Sequence, residues 1–418
     1  MSARIASYEI LHCDAGWRTL SFLKMVSDDG TIGWAEFNEC YGSLGLDAVL
    51  DAMASLVVGC DPMQTERIMA MLYAMSRQLP GGLNAQAMAA VENSLLDIKG
   101  KILGVPVSML FGGAVRERLA LYWSHCGTRR IAFQDMLGSP PMNSLEDVAR
   151  QGREVAASGF QALKTNIMRF RQGTASIYMP GFGQTEHAPS LTPPHSLMQE
   201  ILDELAAFRK GAGNNTEIFL DLNFNFKPET LKLIATALEP LGLGWIEIDL
   251  YDPQALARLR ASIRTPIASG ESLFGRRSYR PYFEAGAVDI AIIDVIWNGF
   301  GESVKIASMA DAYEINVAPH NFYGHLATAI SAHFCALVPN FRIMEIDVDE
   351  VPWMDDLFSW SPAIRNGTLQ LPEGPGWGVN VNEAALRAHP PRAEARSELM
   401  KPVAGILSEG VLPTLHID

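Results

Sequence analysis

The chain has 418 residues, 48% of them hydrophobic and 19% charged, an ordinary composition for a soluble globular protein with two or three domains or one large barrel and an appendage. Lys and Arg number 33 against 47 Asp and Glu, a net charge of −14 with no basic stretch to offset it, which argues against nucleic acid and anionic membranes as partners. The five cysteines (Cys13, Cys40, Cys60, Cys126, Cys335) show no C-x-x-C spacing, the N-terminus lacks a signal-like apolar core and no apolar run is long enough to span a membrane, so a cytoplasmic protein with free thiols is expected.

Near the N-terminus, "TLSFLKMVSDDGTIGWAEF" alternates apolar and polar residues around Asp28-Asp29-Gly30, which predicts a hairpin. From Gly45 to Gly113 the period is helical. Its clearest segment is "NAQAMAAVENSLLDIKGKILG", with Asn84 as the expected cap and small residues that favour close packing. Residues 1–118 are thus expected to form a small α+β domain.

From Leu119 the rhythm changes. Eight short apolar runs alternate with helical stretches: "LALYWSH", "QALKTNI", "TEIFLDLN", "LGWIEIDL", "TPIASGES", "VDIAIIDV", "YEINVAPH" and "FRIMEID". Parallel strands need such helical crossovers, and eight in series predict a barrel of the (β/α)8 type over residues 119–350. The connection from Ile167 to Ser196 is too long and too rich in Gly and Pro for a plain loop, and reads as a lid or specificity insertion. The Pro-rich segment 351–418 is expected to return to the first domain.

Barrels of this kind carry their chemistry at the C-terminal strand ends. Here those ends hold Lys164 and Asn166, Asp221 and Asn223, Glu247, Glu271, Asp294, His320 and Glu345. Asp221, Glu247 and Glu271 lie one strand–helix step apart, so three neighbouring strands each deliver a carboxylate. Such carboxylates repel unless a cation lies between them, and hard oxygen ligands without His or Cys favour Mg²⁺ over Zn²⁺. Asp294 and His320 are again one step apart. A carboxylate beside a histidine fixes its tautomer and raises its basicity, which marks His320 as a catalytic base or acid.

These motifs resemble those of the enolase superfamily, in its mandelate racemase-like branch, over nearly the whole chain. "AMAAVENSLLDIKGKILGVPVSMLFGG" is similar to the helix that links cap and barrel, "ALKTNI" to the Lys-x-Lys strand in part, and "LDLN", "WIEI" and "SGES" to the metal-ligand strands. "IIDV", "VAPHNF" and "IMEID" are similar to the strands of the Asp–His dyad and the eighth-strand glutamate. The resemblance implies an α+β capping domain on a modified (β/α)7β TIM-type barrel. It also implies one Mg²⁺ per subunit on Asp221, Glu247 and Glu271, a small-molecule carboxylate substrate, and a homo-oligomer (dimer or octamer). Lys164 would bind one oxygen of the substrate carboxylate and Glu345 would donate a hydrogen bond to the other. His320, backed by Asp294, would take the proton next to that carboxylate, giving an enediolate.

Two departures shape the expected reaction. The fourth strand reads Glu247-Ile248-Asp249 where the family often has Glu-Glu-Pro. The position of the second lysine, the opposite-face base of racemases, is Asn166, and the third strand offers Asn223 rather than a histidine. With His320 as the remaining strong base, β-elimination fits better than racemisation. The expected activity is dehydration of an aldonic or aldaric acid to a 2-keto-3-deoxy acid. An epimerase, a racemase or a cycloisomerase is the alternative, and an inactive binding protein on the same fold is disfavoured. Asn166 and Asn223 are candidates for the substrate's hydroxyls, and Arg169 and Arg171 for a distal carboxylate.

Overall fold

The computed structural model describes residues 3–40, 42–171, 173–182 and 191–392. Three strands, β1 (Ile5–Asp14), β2 (Thr19–Ser27) and β3 (Ile32–Phe37), form an antiparallel sheet in the order β1-β2-β3. Successive side chains of a strand point to opposite faces, and both faces are covered along β2 and β3. Leu23, Met25 and Ala35 pack with Leu50 of α1 (Leu46–Ser55), Leu72 of α2 (Thr65–Ser76) and Leu95 of α3 (Gly82–Leu103). Leu20, Phe22 and Trp34 face the barrel's own core instead. The hairpin predicted from sequence is β2–β3, and β1 is an additional strand.

Helix α3 joins cap to barrel and is buried on most sides. It starts two residues before the expected cap: Asn84 lies in its first turn and donates to Leu79 O at 2.8 Å. At Gly100 only a missing side chain permits the observed packing, since a Cβ there would lie 2.8 Å from Gly376 Cα.

The barrel begins with β4 (Arg118–Trp123) and β5 (Ala162–Thr165). After β5 the chain makes a two-stranded hairpin, β6 (Met168–Arg171) and β7 (Thr174–Ile177). The barrel resumes with β8 (Glu217–Asp221), β9 (Trp245–Glu247), β10 (Ile267–Ser269), β11 (Ile290–Ile293), β12 (Asn316–Pro319) and β13 (Met344–Ile346). These eight strands are parallel, in the order β12-β11-β10-β9-β8-β5-β4-β13. Hydrogen bonds from Val317 N to Asn340 O (2.8 Å) and from Arg342 N to Val317 O (2.9 Å) close the ring just before β13. No α-helix lies between β13 and β14 (Thr368–Gln370), which runs antiparallel to β4; that stretch holds only the 3₁₀ turn Met354–Leu357. This is a (β/α)7β barrel. Tyr122, Phe219, Trp245, Ile292 and Ala318 fill its interior, with Phe219 and Trp245 stacked at a 3.5 Å centroid distance.

Beyond β13 the chain runs back to the first sheet. Trp353 Nε1 donates to Asp14 O and Asp14 N to His389 O, at 2.9 and 2.8 Å. Residues 393–418 of that segment, and residues 172 and 183–190 of the long connection after β5, lie outside the described residues.

Asp97 of α3 ties three parts together. Its carboxylate accepts from Trp34 N of the cap and Trp377 N of the returning segment, both at 2.9 Å, and pairs with Lys101 at 2.7 Å. Asp97→Ala leaves two buried amides and an ammonium without this partner. It should cost about 3–5 kcal/mol, the scale for breaking a buried charge pair, and Asp97→Asn should cost less. Urea unfolding of the two variants checks this. Equal midpoints for Asp97→Ala and the parent protein would refute the role.

Candidate active site

The C-terminal ends of the barrel strands converge above the aromatic floor. Lys164, on β5, reaches across three neighbours: its Nζ is 3.0 Å from Glu247 Oε2, 3.0 Å from Glu345 Oε1 and 3.4 Å from Asp221 Oδ2. Beneath it lies the Tyr122 ring, 5.6 Å away. Burial opposes the ammonium charge, but Glu247 and Glu345 outweigh it and hold the lysine well above its ordinary range. The same pairing acts on Glu345. Burial pushes this carboxyl up, Lys164 and His320 pull harder, and it settles at about 2. Glu345 also accepts from Ser124 Oγ, and its Oε2 accepts from Asn321 N at 2.8 Å. In this arrangement Glu345 is an ionised acceptor, not the hydrogen-bond donor expected from sequence.

On the opposite wall His320 Nδ1 is 2.7 Å from Asp294 Oδ2. The other oxygen of Asp294 caps the short helix Val295–Asn298, accepting from Ile296 N and Trp297 N at 2.8 Å, and Tyr323 donates its hydroxyl to Oδ2. So anchored, Asp294 fixes the ring and leaves His320 Nε2 facing the strand ends, 3.5 Å from Glu271 Oε2. Burial disfavours the imidazolium, yet Glu271 and Asp294 together push His320 up to about 10.

Among the described residues no three His, Cys, Asp or Glu side chains stand at metal-binding distances from one another. Lys164 accounts for this, because it draws Asp221, Glu247 and Glu345 onto itself. The donor set nevertheless fits a hard divalent cation. Glu247 Oε1 and Asp249 Oδ2 are buried oxygens without a hydrogen-bond partner. Burial pushes Glu247 up to about 8, with repulsion from Asp221 and Glu271 adding to it. Asp249 is raised well above its ordinary range by burial and by Glu271, Asp221 and Glu247. Carboxylates crowded in this way repel one another, and a cation among them relieves that repulsion. Sequence reasoning treated Asp249 as a departure from a pattern. Its spacing was the signal, because two residues beyond Glu247 on an extended chain is the same side.

The amides meet as a pair: Asn166 Nδ2 donates to Asn223 Oδ1 at 3.2 Å, and Asn166 Oδ1 accepts from Thr128 at 3.3 Å. Asn223 sits at φ 46°, in the left-handed region that Asn tolerates. The two arginines do not join the site. Glu200, on helix Leu197–Ala212, takes both, with Arg169 Nε at 2.6 Å and Arg171 Nη2 beside it. Their assignment to a distal carboxylate is therefore withdrawn: they fasten the β6–β7 hairpin to that helix. Sequence reasoning also passed over His125, Tyr323 and Asp347, which come from loops just beyond strands and carry no period of their own. A cavity of about 580 Å³ between α2, α3 and helix Gly275–Glu284 touches none of the strand-end carboxylates. The converging titratable groups lie at the strand ends.

Barrel, antiparallel cap and strand-end acid–base groups together define a capped-barrel enzyme of the enolase type. Two family descriptions cover most of the chain: the mandelate racemase/muconate lactonizing enzyme N-terminal domain matches residues 14–112, and the enolase C-terminal domain-like family matches residues 147–385. The chain belongs to the mandelate racemase-like branch of the enolase superfamily. It is 30% identical to a D-galactarolactone cycloisomerase of Agrobacterium fabrum over 86% of this chain and 88% of that one. It is also 30% identical to a D-galactonate dehydratase of Ralstonia nicotianae, over 87% and 89%. A solved structure from Burkholderia xenovorans, provisionally named an L-alanine-DL-glutamate epimerase and bound to magnesium and fumarate, superposes with a TM-score of 0.91. It is 45% identical and covers 93% of this chain and 97% of its own.

Glu247 has a definite pH signature. Its folded value, about 8, lies above the ordinary 4.5, so the protonated form favours the fold. That contribution is whole below about 4.5 and is lost as pH rises through about 8. A cation binding the ionised form has the opposite dependence. Millimolar Mg²⁺ should raise the unfolding temperature more at pH 8 than at pH 5.5, as read by scanning calorimetry at constant ionic strength. An equal shift at both pH values would count against Glu247 as a ligand.

Proposed function

We propose that the protein is a Mg²⁺-dependent hydro-lyase that converts an aldonic or aldaric acid to its 2-keto-3-deoxy product. The observation that carries this reading is the Asp294–His320 pair opening onto crowded carboxylates, with an amide pair where an opposite-face base would stand. Asp221, Glu247 and Glu271 would hold the ion, with Asp249 beside them. Mg²⁺ supplies positive charge where negative charge builds on the substrate carboxylate.

The chain's own groups do the rest. Lys164 turns its ammonium from the carboxylates to one oxygen of the substrate carboxylate and neutralises charge there. His320 Nε2 takes the proton from the adjacent carbon, with Asp294 stabilising the imidazolium that forms. For this the ring must start neutral, and Glu271 is the largest upward pull on it. Engaging Glu271 with a cation removes that pull and brings His320 toward working pH. Asn166 and Asn223 lack a proton acceptor of useful strength, so they serve substrate hydroxyls.

Dehydratases of galactonate and xylonate among the relatives support this reading. A cycloisomerase also needs only one base, and the galactarolactone relative keeps that as the alternative. The test is a panel of aldonic and aldaric acids with Mg²⁺ in D₂O. A keto product trapped with semicarbazide supports dehydration, and deuterium at the α-carbon without elimination supports an isomerase. His320→Asn should lower both exchange and turnover by about 10²–10⁴-fold, the usual contribution of an acid–base group. Full turnover in that variant would remove His320 from the reaction.

A further inference from the structure

The scheme above leaves the departing hydroxyl without a proton donor of its own, and the structure holds a second histidine at the strand ends. His125 follows β4 at φ 46°, a backbone region sparsely used by residues other than glycine and often found at functional sites. Its Nδ1 is 2.9 Å from Asp347 Oδ1, the same carboxylate–imidazole pairing that orients His320. Asp347 is itself fixed by Arg129, 3.1 Å from its second oxygen, and Arg129 lies 3.4 Å from the Trp17 ring centroid on the cap. With Nδ1 occupied, Nε2 is the open nitrogen, and among the described residues it has no protein partner. The side chain keeps 20% exposure, whereas Asp347 keeps 4%.

Position supplies the second argument. His125, just after β4, and His320, just after β12, flank β13, which carries Glu345. The Phe322 ring neighbours both, 4.7 Å from His320 and 6.1 Å from His125. The opposite-face position belongs to β5, one strand further on, and is filled by Asn166. The strand order thus puts His125 on the same wall as the base and next to the strand that carries Glu345.

We propose that His125 is the general acid of the elimination, an assignment that rests on the dehydratase reading. His320 removes the α-proton, and the C–H electron pair moves onto the carboxylate. That pair then forms the C2=C3 bond as the C3–O bond breaks. The departing oxygen takes the proton from His125 Nε2 and leaves as water. The enol gains a proton at C3 and gives up its C2 hydroxyl proton to solvent to become the 2-keto acid, His125 regains its proton from solvent and His320 releases its own.

The test uses whichever acid the parent enzyme dehydrates fastest, with Mg²⁺ in D₂O. His125→Asn suits a left-handed backbone and should lower dehydration by about 10²–10⁴-fold while α-deuterium exchange into recovered substrate continues. Asp347→Asn should act in the same direction, less strongly. The 3-deoxy-3-fluoro analogue loses fluoride without protonation, so it should restore most of the rate lost in His125→Asn. Dehydration at the parental rate in His125→Asn would overturn the proposal. So would exchange and elimination falling together with no rescue by fluoride, which is the pattern of a structural or binding role. A parent enzyme that exchanges but eliminates from no acid in the panel overturns the dehydratase reading before any variant is made, and the role of His125 with it.

Discussion

The site is organised by one buried ammonium. Lys164 is 3% exposed and touches three carboxylates that are themselves nearly inaccessible. At an effective dielectric near 20, each contact at 3.0 Å is worth about 5 kcal/mol, while removing each ion from water costs several. Two or three such contacts are therefore what keep Asp221, Glu247 and Glu345 together on an aromatic floor. The charges do not balance within the protein. Asp221, Glu247, Asp249, Glu271, Asp294 and Glu345 face two cations, Lys164 and His320. The raised values of Glu247, Asp249 and Glu271 express this excess. A divalent cation and an anionic substrate relieve it jointly, since the cation takes carboxylates from Lys164 and frees the ammonium for the substrate.

This coupling also bears on Glu345. It sits low, at about 2, because Lys164 and His320 face it. Drawing Lys164 to the substrate carboxylate removes the largest of those influences and sets a second anion nearby. Both changes favour a proton on Glu345. The donor role expected from sequence is thus tied to the loaded site, while the acceptor role is a property of the arrangement seen here. Asn321 N and Ser124 hold the carboxyl in place in either state.

The barrel was legible because its signal is repeated. Eight apolar runs at strand–helix spacing coincide with the eight parallel strands, and the ionisable residues ending them follow from strand geometry. What escaped lacks period or depends on distant partners. β1 has a register shift between Ile5 and Ser7 and adjacent apolar residues at Ile10 and Leu11, so its alternation is blurred. Asn84 has the right type for a cap, but Gly81 and Gly82 let α3 begin earlier. Arg169 and Arg171 sit near the site in sequence, yet Glu200, about thirty residues away, claims both. His125 and Asp347 follow the first and the last strand of the barrel and meet only because closure makes β4 and β13 neighbours.

That closure also explains how the cap can act on the chemistry without supplying a proton. Arg18, in the turn between β1 and β2, donates to Phe322 O and Asn38 Oδ1, and its guanidinium lies 4.8 Å and 5.0 Å from the Phe322 and Tyr323 rings. Phe322 touches His320, and Tyr323 donates to Asp294. A cap residue thus grips the loop that carries the base, and Trp17 beside it covers Arg129, which orients His125 through Asp347. Both histidines are steadied by neighbouring cap residues. Two adjacent residues of one turn, Trp17 and Arg18, are thereby joined through one contact each to the neighbours of both carboxylate–histidine pairs.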